Sequence, residues 1–162
     1  MTEIQYKTMM EKIRKNRNIE KALIIMCEYI PKLIIMIYVV CSIHLLIQKS
    51  SRLCLFIIVP AADLIFVSLF RKAVNSKRPY ENYNYKPIGK YKKDKGESFP
   101  SRHTSSAAII AMACYYINPV FGIIMWSLAV IVGGTRILCG VHYPKDVIGG
   151  MVISIIFGIF GF

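Results

Sequence analysis

Five apolar runs, at residues 22–48, 53–70, 101–118, 119–139 and 145–162, leave little of this 162-residue chain for anything else. A hydrocarbon core of about 30 Å is crossed by roughly 20 apolar residues in helical form, so each run is long enough, or nearly so, for one crossing. With 55% hydrophobic residues the chain is too apolar for an ordinary soluble domain, and its length suits a single domain. Short connections make consecutive spans antiparallel neighbours. The expected fold is therefore all-α, a polytopic transmembrane helical bundle of about five spans occupying residues 22–162.

The interruptions within these runs carry information. Glu28, Pro31 and Lys32 break the first run, so its first third is expected to be kinked or interfacial, with 33–47 the clean span. Pro60 and Asp63 in the second run would be costly against lipid and are assigned to the bundle interior. Glu28, Lys32 and Asp63 are expected to partner one another, and His44 to be an interior or interfacial residue. Small residues, among them Gly133, Gly134, Gly149, Gly150, Gly158 and Ala107, fall on the last three spans, where close helix contact needs them.

Residues 1–21 lack the apolar core and small-residue cleavage site of a signal peptide and read as a basic amphipathic helix lying on headgroups. The five cysteines sit in or beside apolar stretches with no CxxC pair, which suits packing better than zinc or redox chemistry. The net charge of +12 comes from basic residues outside the apolar runs. That distribution fits anionic headgroups or phosphate substrates, and no base-stacking stripe points to nucleic acid.

The one long connection, 71–100, is polar, aromatic and basic, and a loop of that length in so small a protein tends to be functional. Its Tyr80, Tyr83, Tyr85 and Tyr91 read as interfacial anchors. The run KYKKDKG, 90–96, reads as a solvated loop able to gather anionic headgroups. If the five spans are right, three segments share one side of the membrane: RKAVNSKRP (71–79), PSRH (100–103) and TRILCGVHYPKD (135–146). Together they supply arginines, two histidines, an aspartate and a serine at a helix start. Guanidinium groups bind phosphate through charge-assisted, often bidentate hydrogen bonds, and a helix N-terminus adds free N–H donors.

Pro144 suits the first turn of a helix, which puts Asp146 within reach of one ring nitrogen of His142 and leaves the other free to attack. His103, at the start of the third run, is placed to protonate a departing alkoxide, since an imidazole titrates near neutrality.

These segments resemble the signature of the type 2 phosphatidic acid phosphatase superfamily, K-x6-RP, PSGH and SR-x5-H-x3-D. Here the pattern reads R-x6-RP (Arg71, Arg78, Pro79), PSRH (Pro100 to His103) and TR-x5-H-x3-D (Thr135, Arg136, His142, Asp146), in order and with the internal spacing kept. The resemblance covers roughly residues 53–162. It implies a phosphohistidine on His142, with Asp146 its partner and His103 the general acid. Arg71, Arg78, Ser101 and Arg136, with the Arg102 backbone N–H, would bind phosphoryl oxygens. It implies no metal and no cofactor, a membrane lipid phosphate as substrate, and a multi-pass protein of a bacterial plasma membrane.

Arg71 stands where the family has lysine, Arg102 where it has glycine, and Thr135 where it has serine. Arg102 would add a contact to a second phosphate or reach headgroups. Phosphatidate, phosphatidylglycerol phosphate and undecaprenyl pyrophosphate all remain candidate substrates, with Arg102 and the basic loop leaning toward a diphosphate. The non-enzymatic alternative is a small basic membrane protein that binds anionic headgroups without turnover. The positive-inside rule assigns the basic end to the cytoplasm, whereas the resemblance implies a site facing away from it.

Overall fold

The computed structural model describes residues 1–91 and 96–162. Among the described residues seven helices follow in order: α1 (Glu3–Lys15), α2 (Arg17–Ile47), α3 (Leu53–Val74), α4 (Pro79–Asn82), α5 (Arg102–Ile117), α6 (Pro119–Leu138) and α7 (Pro144–Gly161). Among the described residues there is no strand. Lys92, Lys93 and Lys95 of the expected headgroup-gathering run lie outside the described residues.

Helices α2, α6 and α7, and the segment Leu53–Asn82 that contains α3, are long and apolar enough to cross a membrane. Their outward faces carry Ile47, Leu69, Val120, Ile159 and Phe160, all exposed. An apolar exterior of this extent is what a lipid solvent selects. The expected third span is α5, at 16 residues only about 24 Å long. It sits at the centre, packed against α2, α3, α6 and α7. Helices surround it, so it is built of small residues, with Ala107, Ala108, Ala111 and Ala113 all buried.

Helix α2 is continuous through Pro31 over 31 residues, with no break setting off its first third. Glu28 and Lys32 pair on one face at 3.1 Å, and Lys90 joins the same carboxylate at 3.2 Å. Asp63 is not their partner. It lies fully buried, accepting from Ser105 Oγ at 2.8 Å and Ser154 Oγ at 3.1 Å, which joins α3, α5 and α7. A carboxyl group buried at this depth requires such donors. His44 is exposed near the end of α2.

The N-terminal helix turns its apolar stripe toward the protein. Tyr6 and Met10, one turn apart, are buried at 0% and 2%. Met10 shares a cluster with Leu23, Tyr80, Ile88, Cys139 and Val141. Tyr80, Tyr83 and Tyr85 belong to this inner packing rather than to the lipid interface: Tyr80 is buried, and Tyr6 stacks on Tyr85 at 5.7 Å and meets Tyr83 at 6.0 Å. The cysteines are all free, with Cys114 and Cys139 buried and Cys54 exposed.

Candidate active site

The helix ends decide where the charged side chains go. Arg71 is in the last turn of α3, Arg78 caps α4, and Ser101 caps α5 with Arg102 and His103 in its first turn. Arg136 is in the last turn of α6, His142 in the loop that follows, and Asp146 in the first turn of α7. All sit at one end of the bundle. Arg71 feels the charges of Arg78, Arg102 and Asp146, and His103 those of Arg136, His142, Arg102 and Arg71. The eight candidate residues therefore form one group.

Helices α5 and α7 meet closely at this end. The Ser101 amide donates to the Asp146 carbonyl at 2.9 Å. Gly150 permits the approach, since a Cβ there would stand 2.8 Å from the Ser101 carbonyl oxygen. Arg71 ties α3 to the same place: its Nη1 donates to the Pro100 carbonyl at 2.7 Å and its Nη2 to the Glu97 carbonyl. A planar fork spans two carbonyls in a way that the point charge of a lysine does not, which gives the arginine at this position a physical role. Arg78 Nε donates to the Gly96 carbonyl at 3.2 Å, and Arg136 Nη2 to the Cys27 carbonyl at 2.8 Å. Ser101 Oγ, fully buried, pairs with Thr104 Oγ1 at 2.9 Å. Arg102 is exposed.

His142 and Asp146 face each other, both buried, with Nδ1 and Oδ2 3.5 Å apart. That is longer than a hydrogen bond. Asp146 Oδ2 is instead held by Ser98 Oγ at 2.5 Å and the Tyr143 amide at 2.9 Å. Burial pushes the His142 imidazole down to about 4; the Asp146 carboxylate pulls the other way, while Arg78 and Arg71 push in the same direction as burial. The ring is neutral at physiological pH.

Among the described residues, three buried side-chain nitrogen or oxygen atoms lack a hydrogen-bond partner: Arg136 Nε, His142 Nδ1 and Asp146 Oδ1. All three belong to this group. Buried polar groups are otherwise almost always paired, so a cluster of unpaired ones calls for a ligand. Among the described residues no three His, Cys, Asp or Glu side chains gather as metal ligands.

Two openings meet at His103. A groove of about 170 Å³ between α2 and α5 is lined by Pro31, Ile34, Ile35, Arg102, His103 and Ile110. A neighbouring cavity of about 340 Å³ is lined by Ile24, Glu28, Lys32, Lys90, His103 and Arg136. Both have apolar walls, and the second adds three basic side chains and one carboxylate. Sequence motifs missed Ser98 and Tyr6, the latter donating to the His142 carbonyl at 3.1 Å. Neither stands in a recognisable spacing with the residue it serves.

Residues 52–162 match the PAP2 superfamily. The chain belongs to that superfamily. Undecaprenyl-diphosphatase BcrC of Bacillus subtilis (strain 168) is 41% identical over 61 residues, 38% of this chain and 32% of the relative. Lipid A 1-phosphatase of Rhizobium johnstonii is 28% identical over 95 residues, 56% of this chain and 38% of the relative. The matches thus span only about a third of the length of these curated relatives. The fold is that of Aquifex aeolicus LpxE, with a TM-score of 0.73, 22% identity, and coverage of 90% of this chain and 86% of that one. A transmembrane PAP2-type phosphatidylglycerolphosphate phosphatase from Bacillus subtilis superposes with a TM-score of 0.65 at 17% identity, covering 97% of this chain and 90% of that one. Four span-length apolar helices together with this fold support a multi-pass membrane protein.

Proposed function

We propose that the chain is a membrane lipid phosphatase that hydrolyses a lipid phosphate or pyrophosphate through a phosphohistidine on His142. The free Nε2 of His142 attacks phosphorus, forming an N–P bond as the P–O bond to the lipid breaks. His103 gives its proton to the departing oxygen. Water then attacks the phosphohistidine, returning a proton to His103 and releasing inorganic phosphate. Arg71, Arg78, Arg136 and the α5 N-terminus stabilise the charge on the phosphoryl oxygens, which is where most of the rate enhancement of phosphoryl transfer arises. No step calls for a metal.

The observation that carries this reading is the trio of unpaired buried atoms, Arg136 Nε, His142 Nδ1 and Asp146 Oδ1. A phosphoryl group supplies the acceptor that Arg136 lacks. A positive charge developing on the imidazole draws His142 and Asp146 together. A headgroup-binding protein without turnover has no use for a buried neutral histidine aligned on a carboxylate.

The leaving group departs on the His103 side, where the two openings meet. The apolar groove accommodates a lipid chain. The cavity bearing Lys32, Lys90 and Arg136 keeps an excess of positive charge over its one carboxylate, Glu28, and so offers charge to a second phosphate, which favours a lipid pyrophosphate over a monophosphate. The name of the BcrC relative agrees with this preference, and that of the lipid A 1-phosphatase agrees with the reaction class.

Phosphate release by the purified chain in detergent tests the proposal, with phosphatidate, phosphatidylglycerol phosphate and undecaprenyl pyrophosphate as substrates and EDTA and His142→Ala as controls. Release should survive EDTA and vanish in the variant. Folded protein that releases phosphate from none of these lipids returns the chain to the binding-protein alternative. Reagent access to a cysteine introduced at Lys90 in intact cells assigns the membrane side of the site.

A further inference from the structure

The loop that bears the nucleophile is short, runs from Cys139 to Tyr143, and leaves α6 through a glycine in the left-handed region, Gly140 at φ +71°. The amides of Cys139, Gly140 and Val141 donate back to α6 carbonyls, whereas the carbonyls of Cys139, Gly140 and His142 are held by chain from elsewhere. Tyr85 Oη donates to the Gly140 carbonyl at 2.8 Å, and the Ile88 amide to the Cys139 carbonyl at 3.0 Å. A Cβ at Gly140 would lie 2.9 Å from the Tyr85 ring and 3.3 Å from Met10 Cε, so both residues press directly on the turn. The hydroxyl of Tyr6, fully buried, donates to the carbonyl of His142 itself at 3.1 Å.

Helix α1 is fixed in turn by several contacts. The Tyr6 ring stacks on Tyr85 at 5.7 Å and meets the edge of Tyr143 at 6.0 Å, and Tyr143 Oη accepts from Asn82 Nδ2 at 2.8 Å. Arg14 Nη2 donates to the Lys86 carbonyl at 2.5 Å, tying the far end of α1 to the same segment. Met10 is buried in one cluster with Cys139 and Val141, against which Met9 and Ile13 pack. The stripe Tyr6, Met9, Met10 and Ile13 follows the helical period of three and four residues. It is spent on the nucleophile loop. All of α1 lies outside residues 52–162, the part shared with the family.

We propose that α1 is a clasp on the nucleophile loop and that Tyr6 is a positioning residue, its hydroxyl setting the backbone of His142 so that the imidazole meets Asp146 and the phosphorus together. The catalytic part of this inference rests on His142 being the nucleophile. The clasp itself does not. In-line attack demands placement to a fraction of an ångström, and a displacement of about 1 Å can cost on the order of a hundredfold in rate. The backbone carbonyl is an effective handle, since its carbon is bonded directly to the Cα that carries the imidazole.

The test uses the full chain in detergent and two variants. Tyr6→Phe keeps the ring and removes only the hydroxyl. It should lower kcat for undecaprenyl pyrophosphate, or for phosphatidate if that is the lipid turned over, by about three- to tenfold, the scale of one hydrogen bond, with KM unchanged and only a small fall in melting temperature. Tyr6→Ala should lower kcat further. A second readout is independent of catalysis: with Cys27, Cys41, Cys54 and Cys114 replaced by alanine, the buried Cys139 reports loop opening by its rate of maleimide labelling. Labelling should be slow in the parent and in Tyr6→Phe and at least tenfold faster in Tyr6→Ala. Unchanged kcat in both variants overturns the positioning role, as does a loss that tracks melting temperature and KM together. Equal labelling of parent and Tyr6→Ala overturns the clasp. If the parent releases no phosphate from either lipid, the phosphatase reading fails while the labelling still decides whether α1 holds the loop.

Discussion

The imidazole of His142 and the carboxylate of Asp146 stand 3.5 Å apart, Nδ1 to Oδ2, and each keeps one buried atom without a partner. Asp146 is anchored by Ser98 and the Tyr143 amide, while His142 is anchored through its own carbonyl by Tyr6. The pair is aligned from two directions. On the proposed reaction, positive charge on the ring would strengthen a hydrogen bond between them.

Removing the carboxylate should slow turnover far more than it weakens binding. Asp146→Asn keeps the size of the side chain and loses its charge; kcat should fall by roughly 10²- to 10⁴-fold, as for orienting carboxylates in other triads. His142→Ala should abolish formation of an acid-labile, base-stable phosphoenzyme. Rapid-quench trapping with radiolabelled substrate checks both.

The pH dependence follows from burial of His142. Its pKa is lowered to about 4, below the ordinary imidazole value of 6.5, so the proposed nucleophile would lose its lone pair only as pH falls toward 4. The acid limb of kcat/KM, corrected for the substrate's own ionisation near about 6, should therefore lie well below 6.5. Arg78 and Arg71 depress this value, and Arg78→Ala should move the limb upward; Asp146 raises it, and Asp146→Asn should move it down. A limb at 6.5 or above in the parent enzyme would assign it to another group.

Ser98 has no place in the motif pattern, yet its hydroxyl is the shortest described contact to Asp146, at 2.5 Å. Ser98→Ala should reduce kcat about tenfold, the scale of a hydrogen bond to a charged group, while Ser98→Thr should keep part of the rate. Steady-state kinetics on both variants, with KM as the control for substrate binding, decides this.

Arg71→Lys restores the residue usual in the family but cannot bridge the Pro100 and Glu97 carbonyls as a fork does. Activity should drop, with charge retained, and thermal stability in detergent should fall by about 1–2 kcal/mol for the lost hydrogen bonds. An Arg71→Lys protein as stable and active as the parent would show that the fork is dispensable.

Away from the site, Asp63→Ala should destabilise the bundle by about 1–3 kcal/mol by leaving the buried Ser105 and Ser154 hydroxyls with fewer partners, and should leave KM unchanged. Thermal unfolding in detergent alongside kinetics separates the two effects.

The legible part of this molecule is what local chemistry writes into short stretches. Apolar runs announce helices, and the proline at 144 and the serine at 101 mark helix starts that the structure places at those positions. The three motifs named the charged residues that the fold brings to one end. Partnerships between distant segments were not legible. Tyr6 and His142 are 136 residues apart, and no spacing links them. Asp63 was assigned to Glu28 and Lys32 because charges seek charges, but serines on two neighbouring helices satisfy it instead. The stripe on α1 reads the same whether it faces lipid or protein, and only the tertiary fold distinguishes the two.

The hydrogen bonds around Ser101 have a mechanical consequence. Arg71 grips the carbonyls of Glu97 and Pro100, the Ser98 amide donates to the Ser76 carbonyl at 2.8 Å, and the Ser101 amide holds the Asp146 carbonyl. The ends of α3, α5 and α7 are thereby riveted into a single plate. A tilt of one of these helices therefore carries the other two with it, and the candidate residues at this end keep their mutual spacing.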